Sequence, residues 1–262
     1  MALEPPLLFP AVTPGEPIVL SASTFVTFSR CPEQAVGRLR GMYPPESRAS
    51  FLGGLAHRIF ARHLTSGPIP EEGFAAACRE EIGAGMNPKL GALGLIPSQL
   101  AQVVDEASGL YRRFCRLGLE GFAGAEVELE AEPADGVTLR GVVDAVFDEG
   151  ESGTRLTDWK TGSLGDPVAQ LGFYSLLWAL ARGDLPGRVE AVSLASGERL
   201  DEVPTRAGVE ATAAAAAVAV SSLRTALATD GHLERAAGPW CRWCPLLEEC
   251  EEGRAATALL GE

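Results

Sequence analysis

Residues 122–183 constrain the fold most, because three strand-like runs precede one amphipathic helix there. "AEVELEAE" (125–132) alternates apolar and acidic residues, "VTLRGVVDAVFD" (137–148) is β-branched and largely apolar, and "GTRLTDWK" (153–160) is a shorter run. Turns rich in Gly, Asp and Glu separate the runs, which predicts an antiparallel meander. The segment "DPVAQLGFYSLLWALARG" (166–183) that follows has the spacing of an amphipathic helix.

The rest of the chain places helices before this meander and mixed elements after it. Residues 1–20 are Pro-rich and predicted to be extended. Ser23 or Thr24 is predicted to cap a short helix that ends near Cys31. Further helices are predicted around 71–84 and 97–119. "RVEAVSLAS" and "ERLDEVP" predict a hairpin, and 206–229 an Ala-rich helix. We therefore expect a mixed α/β (α+β) fold in one domain over 21–252. Its parts are a helical portion (21–121), a core (122–205) and a helix with a cysteine segment (206–252), and 253–262 form a tail.

Charge and hydropathy bear on the partners of the chain. The formal net charge of −13 argues against a general basic surface for nucleic acid, although it allows a local basic groove or a site where a divalent metal supplies positive charge. No uninterrupted apolar run approaches the roughly 20 residues of a membrane span, and no basic segment precedes the first apolar residues. We expect a cytoplasmic protein without membrane contact.

Two of the six cysteines, Cys78 and Cys115, lie in helix-like segments and are interpreted as small buried hydrophobic residues. The other four are Cys31, in "FSRCPEQA", and Cys241, Cys244 and Cys250, in "CRWCPLLEEC". In a reducing cytosol such a cluster favours metal binding over disulfides.

Asp158 and Lys160 are one residue apart on a predicted strand, so both side chains project from one face. Asp144 lies on the preceding strand between valines, where a bare carboxylate is costly, and a hairpin register brings it beside Asp158. Two close carboxylates favour a hard divalent cation such as Mg²⁺ or Mn²⁺. The basic residues are almost all arginine, with Lys89 and Lys160 the two lysines, and a compact ammonium suits a metal-bound water better than a guanidinium. The alternative is an ordinary surface ion pair on a hairpin.

The motifs "GGLAHRIF", "GVVDAV", "LTDWKTG" and "QLGFYSLLWA", together with the cysteine frame, occur in an order that resembles the RecB-like branch of the PD-(D/E)XK nucleases. The cysteines are similar to the iron–sulfur staple of AddB-type nuclease domains and of CRISPR-associated RecB-like exonucleases. The resemblance covers about Ser21 to Cys250. It implies a restriction-endonuclease-like core, a central mixed sheet flanked by helices, with a C-terminal iron–sulfur staple.

This resemblance also implies roles for individual residues. Asp144 and Asp158 would be ligands of Mg²⁺ or Mn²⁺, Lys160 the catalytic lysine, and His57 a further metal ligand or phosphate contact. Gln170 and Tyr174, an i, i+4 pair on one helix face, would line the catalytic site and contact nucleic acid. A [4Fe–4S] cluster would be held by Cys31, Cys241, Cys244 and Cys250. Glu128 on the first strand would be an additional acidic residue.

Each assignment has a structural alternative. His57 is also consistent with a core histidine, Gln170 and Tyr174 with helix packing, and four cysteines with zinc. Pairing of ligands two and two is typical of zinc sites, so one remote cysteine with C-x2-C-x5-C favours iron–sulfur. Trp240 and Trp243 could stack on bases or shield the cluster, and we favour shielding.

The sequence thus predicts a metal-dependent DNA exonuclease with a single-strand preference, acting in repair, recombination or defence. No P-loop motif is present in the printed sequence, so a helicase or another repair or defence protein is an expected partner. The competing hypotheses are a non-catalytic nucleic-acid- or partner-binding module on the same fold and, less favoured, an electron-transfer iron–sulfur protein.

Overall fold

The computed structural model describes residues 3–260. Within this range one six-stranded sheet is surrounded by nine α-helices and four short 3-10 turns. The strands are β1 (Ile18–Ser21), β2 (Phe122–Ala134), β3 (Val137–Asp148), β4 (Thr154–Lys160), β5 (Arg188–Ser193) and β6 (Arg199–Glu202). The helices are α1 (Ala22–Arg30), α2 (Pro32–Leu39), α3 (Arg48–Ser66), α4 (Phe74–Gly85), α5 (Asn87–Leu93), α6 (Pro97–Phe114), α7 (Val168–Arg182), α8 (Arg206–Ala228) and α9 (Glu251–Leu260).

Strand β3 organises the sheet because three other strands pair with it. One of its edges pairs with β2, antiparallel, and the other edge is shared between two strands. On that shared edge β1 runs parallel to residues 137–140, and β4 runs antiparallel to residues 145–148. Among the described residues, 141–144 of β3 have no strand partner on this edge, so the sheet opens there between β1 and β4.

Beyond β4 the sheet continues through β5, which is parallel to β4, and β6, which is antiparallel to β5. Helix α7 makes the crossover between β4 and β5, as a parallel connection requires. The predicted meander (β2–β3–β4) and the predicted final hairpin (β5–β6) are confirmed, and the sheet as a whole is mixed. The expected α/β class is therefore confirmed.

Helices cover both faces of the sheet. Strand β5 and the residue that follows it show this directly: Val189 and Ala191 belong to one hydrophobic cluster, whereas Val192 and Leu194 belong to the other. The first cluster contains residues of α1, α2, α7 and α8, and the second contains residues of α3, α4 and α6. Burial on both faces explains the long apolar runs in β3 and β5.

The observed helix boundaries correct several predicted ones. Helix α1 is capped by Ser21, whose Oγ accepts a hydrogen bond from the Thr24 N–H, and not by Ser23 or Thr24. The last residues of the segment predicted to be extended, 18–20, belong to β1. The predicted helices 71–84 and 97–119 are observed as Phe74–Gly85, after a 3-10 turn, and Pro97–Phe114. Helix α9 begins at Glu251, so the boundary predicted between 252 and 253 falls inside a helix.

Helix α8 is long and apolar enough to span a membrane by length and composition alone. In this structure it is a core helix, with a buried face of small residues that packs on α7 and α2. Its buried Arg224 donates hydrogen bonds to the backbone carbonyls of Thr13, Glu16, Asp135 and Gly136. These four acceptors satisfy a guanidinium that would be costly to bury without partners.

Candidate active site

Asp144 and Asp158 lie on neighbouring strands at the place where the strands begin to separate. Ala145 pairs with Thr157, so Asp144 on β3 lies across from Asp158 on β4. The backbone ladder ends there, and the Trp159 N–H instead donates to Asp144 Oδ2 over 2.6 Å. Both aspartates are buried, 8% and 4% exposed. Burial, and next the charge of Asp144, raises the pKa of Asp158 from 3.8 to about 6.

An aromatic cluster holds α3 against β4 and so positions His57. The Phe60 ring stacks on Phe114 with 4.5 Å between centroids, and Trp159 of β4 lies edge-on to both rings. These rings are fully or almost fully buried, which makes the packing of α3 on the sheet specific. His57, one turn before Phe60, is thereby directed to the unpaired part of β3.

His57 contacts Asp144 through one ring nitrogen. Its Nδ1 lies 3.1 Å from Asp144 Oδ1. Burial opposes protonation of the ring, but the charges of Asp144, Asp158 and Glu126, with the hydrogen bond to Asp144, raise the pKa of His57 to about 9. The imidazole therefore lies in a strongly negative environment.

Glu126, which the sequence analysis did not select, is the third acidic residue of this site. One ligand atom each from His57, Glu126 and Asp144 lie within 4.8 Å of one another. Glu126 occupies the register position opposite Asp144, between the Ala125–Ala145 and Val127–Val143 pairs, and has a positive φ of 48°. Burial and the charge of Asp144 raise its pKa.

Glu128, the acidic candidate from the sequence, lies elsewhere. Like Glu126 it is exposed, but it pairs with Val142 and lies outside the cluster of His57, Glu126 and Asp144. The structure therefore favours Glu126 over Glu128 as the additional acidic residue.

Lys160, Asp158, Gln170 and Tyr174 form one hydrogen-bonded network. Lys160 Nζ donates to Gln170 Oε1 over 2.6 Å and lies 2.7 Å from Asp158 Oδ2. The Gln170 amide donates to Asp158 Oδ1 (2.7 Å) and to the Tyr174 hydroxyl (2.9 Å). Gln170 thus orients the ammonium and the carboxylate at the same time.

Helix α7 approaches the sheet closely at Gly141, which allows this network to form. A Cβ at Gly141 would lie 2.9 Å from Leu177 Cδ1 and 3.1 Å from Tyr174 Cε1. Tyr174 is 5% exposed, and burial followed by the charges of Asp158 and Asp144 raises its pKa. The phenol therefore stays neutral near pH 7 and can act as a hydrogen-bond donor or acceptor.

The donor set of the site fits a hard divalent cation. Carboxylate oxygens with one imidazole nitrogen suit Mg²⁺ or Mn²⁺. Asp158 Oδ2 is buried and has no hydrogen bond among the described residues; its neighbour Lys160 Nζ lies at ion-pair distance but with poor hydrogen-bond geometry. An acidic cluster with raised proton affinities is what a bound cation would stabilise.

A large groove leads to the lysine side of this site. Lys160, Gln170 and Tyr174 line one part of it, together with the unpaired part of β3. Its other charged lining residues are Arg30, Arg38, Arg140 and Asp166, and its far part includes Pro239, Trp240 and Trp243. On the opposite side, His57 and Glu126 line a second, shallower groove beside Arg58 and Arg62. The site is thus accessible from two sides.

The structure brings the four remote cysteines together. Cys31, Cys241, Cys244 and Cys250 line one small pocket. Burial, and after it the proximity of the other three cysteines, raises the pKa of Cys244. Backbone N–H groups of Gly238 and Gly253 donate to Cys241 Sγ and Cys250 Sγ, each over 3.3 Å.

The two tryptophans of the cysteine segment differ in environment. Trp240 lines both the cysteine pocket and the large groove, and its indole N–H donates to the Ala236 carbonyl. Trp243 lines the large groove and is 63% exposed. Shielding of the cysteines is thus consistent with Trp240, whereas Trp243 lies in the open groove.

Comparisons with known proteins agree with this architecture. Residues 19–251 match the family described as the PD-(D/E)XK nuclease superfamily. No curated protein matches the sequence. A protein from Eubacterium rectale named "Putative exonuclease" has a crystal structure that is similar with a TM-score of 0.58 at 13% identity, over 88% of this chain and 87% of that chain. The crystal structure of SSO0001 aligns over 89% of this chain and 85% of that chain at 14% identity, with a TM-score of 0.40. At these identities the Eubacterium rectale structure supports the fold.

Proposed function

This chain belongs to the PD-(D/E)XK nuclease superfamily, and we propose that it is a metal-dependent DNA exonuclease that prefers single strands. The observation that carries the proposal is the network in which Gln170 joins Lys160 to Asp158, beside the cluster of His57, Glu126 and Asp144. Repair, recombination or defence is the proposed context, and a helicase or another protein of such a pathway is the proposed partner.

The acidic residues and the histidine would hold the metal. We assign Asp144, Glu126 and His57 as candidate ligands because their donor atoms lie within 4.8 Å of one another. Asp158 is the fourth candidate because this buried carboxylate lies across from Asp144. Mg²⁺ or Mn²⁺ would supply Lewis acidity, which makes water more acidic and stabilises negative charge on phosphate oxygens. In its absence His57 keeps a proton at neutral pH, which a cation beside the ring would displace.

Lys160 acts on the phosphate and on the attacking water. Its ammonium is held between Asp158 Oδ2 and Gln170 Oε1, so its position is preorganised with respect to the carboxylates. From there it can stabilise the negative charge that develops on the phosphate oxygens during phosphodiester hydrolysis. Gln170 is the positioning residue for this ammonium, and the Tyr174 hydroxyl in turn accepts a hydrogen bond from Gln170.

Substrate would approach through the large groove. Its lining includes four cationic side chains and one carboxylate, in a chain whose formal net charge is −13. The positive charge is thus concentrated where a phosphate backbone would reach Lys160. The acidic composition of the whole chain is therefore compatible with a DNA substrate.

We further propose that Cys31, Cys241, Cys244 and Cys250 hold a [4Fe–4S] cluster with a structural role. Their convergence in one pocket, the N–H···S hydrogen bonds and the asymmetric spacing support the proposal. Such a cluster would connect Cys31, between α1 and α2, to a segment more than 200 residues later, which closes a long loop. Iron and sulfide analysis of anaerobically purified protein tests the assignment: stoichiometric zinc in a colourless protein would contradict it and leave the nuclease proposal intact.

Cleavage of end-labelled DNA with Mn²⁺ tests the nuclease proposal. Anaerobically purified wild type should degrade linear single strands faster than linear duplex, and it should leave circular single strands intact if ends are required. Lys160→Ala should abolish cleavage. Lys89→Ala is the matched control, because Lys89 is the other lysine and lies on the surface 3.7 Å from Glu46. Wild-type protein that binds DNA without cutting it would favour a non-catalytic binding module, and equal activity of Lys160→Ala and wild type would refute the role of Lys160.

A further inference from the structure

The large groove carries three arginines whose charges no acidic side chain neutralises. Within residues 3–260, Arg30, Arg38 and Arg140 have no carboxylate within 4.0 Å, and all three line the groove that contains Lys160. Arg140 is exposed on β3, directly before the unpaired part of that strand. In a chain with net charge −13, unpaired cations along one groove indicate an anionic ligand.

Arg38 is held in a conformation that suits a phosphate. Its guanidinium lies 5.3 Å from the centre of the Tyr43 ring, and Nη2 donates to Ser23 Oγ over 3.1 Å. Its Nε is buried and has no hydrogen-bond partner among the described residues. Phosphate oxygens are the acceptors that a preorganised guanidinium binds best.

Trp243 adds an aromatic surface to the same groove. It is 63% exposed, and the guanidinium of Arg242 lies 5.3 Å from its ring centre. An exposed indole beside cationic side chains is typical of single-strand binding, in which bases stack on aromatic rings and arginines follow the backbone. A base within a duplex has both faces covered by its neighbours and cannot stack on Trp243 without being unstacked first.

We propose that Trp243, Arg30, Arg38 and Arg140 form a binding subsite for single-stranded DNA, with a base stacked on Trp243 and phosphates bound by the arginines. The subsite lies in the groove that reaches Lys160, so it would carry the strand to the catalytic residues. It rests on the proposed nuclease function and assigns the single-strand preference to residues outside the catalytic network. The cysteine segment, which carries Trp243, thereby forms one wall of the substrate groove.

Binding without cleavage tests the subsite. The probe is fluorescein-labelled oligothymidylate of about 15 nucleotides, measured by fluorescence anisotropy in EDTA at several salt concentrations. Trp243→Ala should weaken binding roughly tenfold, and Trp243→Phe should restore most of the loss. The slope of log K against log salt should not change in either Trp243 variant, because no charge is removed.

The arginine variants should behave differently. Arg38→Ala and Arg140→Ala should each lower the magnitude of the salt slope by about 0.7, as expected for one phosphate contact on a single strand. Arg112→Ala and Val203→Ala are matched controls, since both residues are exposed and lie outside the groove. Neither control should change affinity or slope.

The outcomes separate this inference from the nuclease proposal. Wild-type binding of oligothymidylate that Trp243→Ala leaves unchanged would overturn the stacking assignment, and unchanged salt slopes in the arginine variants would overturn the phosphate contacts. Failure of the wild type to bind single strands would overturn the whole subsite, even if the protein cleaves DNA. Binding with the predicted variant effects but no Mn²⁺-dependent cleavage would support the subsite and refute the nuclease.

Discussion

Replacing Asp158 by asparagine should stabilise the metal-free protein while removing its activity. In the metal-free state the pKa of Asp158 is raised from 3.8 to about 6, chiefly by burial and then by Asp144. The ionised carboxylate therefore costs about 3 kcal/mol of folding free energy at neutral pH. This cost already includes the favourable ion pair with Lys160, and asparagine keeps the acceptor for Gln170. The gain of about 3 kcal/mol corresponds to a rise in Tm of about 9 °C for a chain of this size.

The pH dependence follows from the sign of the shift. The folded state binds the proton of Asp158 more tightly than the unfolded state does, so the cost is absent below pH 3.8, grows as pH rises, and is complete above about pH 6. The stability difference between Asp158→Asn and wild type should therefore increase from about pH 4 to about pH 6 and then level off.

Thermal unfolding in EDTA, over that pH range, measures the difference. Asp105→Asn is the matched control, because Asp105 is exposed on α6 and should show no such change. Addition of Mn²⁺ should raise the Tm of wild type more than that of Asp158→Asn. A variant less stable than wild type near pH 7, or a stability difference that does not vary with pH, would refute the electrostatic reasoning.

Three further substitutions test other parts of the structure. Glu126→Gln should lower Mn²⁺-dependent cleavage at least tenfold. Glu128→Gln, on the same strand but outside the cluster of His57, Glu126 and Asp144, should retain activity within about twofold. Equal effects in the cleavage assay would remove Glu126 from the site. Gly141→Ala should lower the free energy of unfolding by about 1–3 kcal/mol in denaturant titrations and should also lower activity, because the added methyl would lie 2.9 Å from Leu177. A fully active variant of wild-type stability would contradict the close approach of α7. Glu190→Ala should lower stability by about 1–3 kcal/mol without changing the DNA affinity of the folded protein, because the buried Arg155 loses its partner at 2.5 Å and keeps Glu149 alone as a carboxylate partner. An unchanged Tm would show that the network contributes little.

The candidate catalytic residues of β4 and α7 could be found in the sequence because the local periodicity of a strand or helix places each pair on one face. Alternation along a strand puts Asp158 and Lys160 on one face, and one helical turn puts Gln170 beside Tyr174. The contacts among Lys160, Asp158, Gln170 and Tyr174 are what these spacings allow. Their catalytic and metal-binding roles remain proposals.

Glu126 could not be chosen over Glu128 by counting along the hairpin. The Ala134–Val137 pair next to the Asp135–Gly136 turn, continued without interruption, would place Val127 opposite Asp144. A register shift between Ala131 and Ala134 moves the pairing by one residue and places Glu126 there. Because a shift of one residue exchanges the two faces of a strand, this local irregularity places Glu126, and not Val127, opposite Asp144.

The sequence by itself determined the order of β2 to β6 with α7 and α8, the face shared by Asp158 and Lys160, and the set of four cysteines, because each depends on residue type and short spacing. Only the tertiary structure decided where β1 joins β3, that β3 is left unpaired at 141–144, and that Trp243 shares a groove with Lys160. These features depend on contacts between segments far apart in the chain. The charge of the groove shows the same limit: a net charge sums over all residues, whereas a ligand meets only those that the fold brings together.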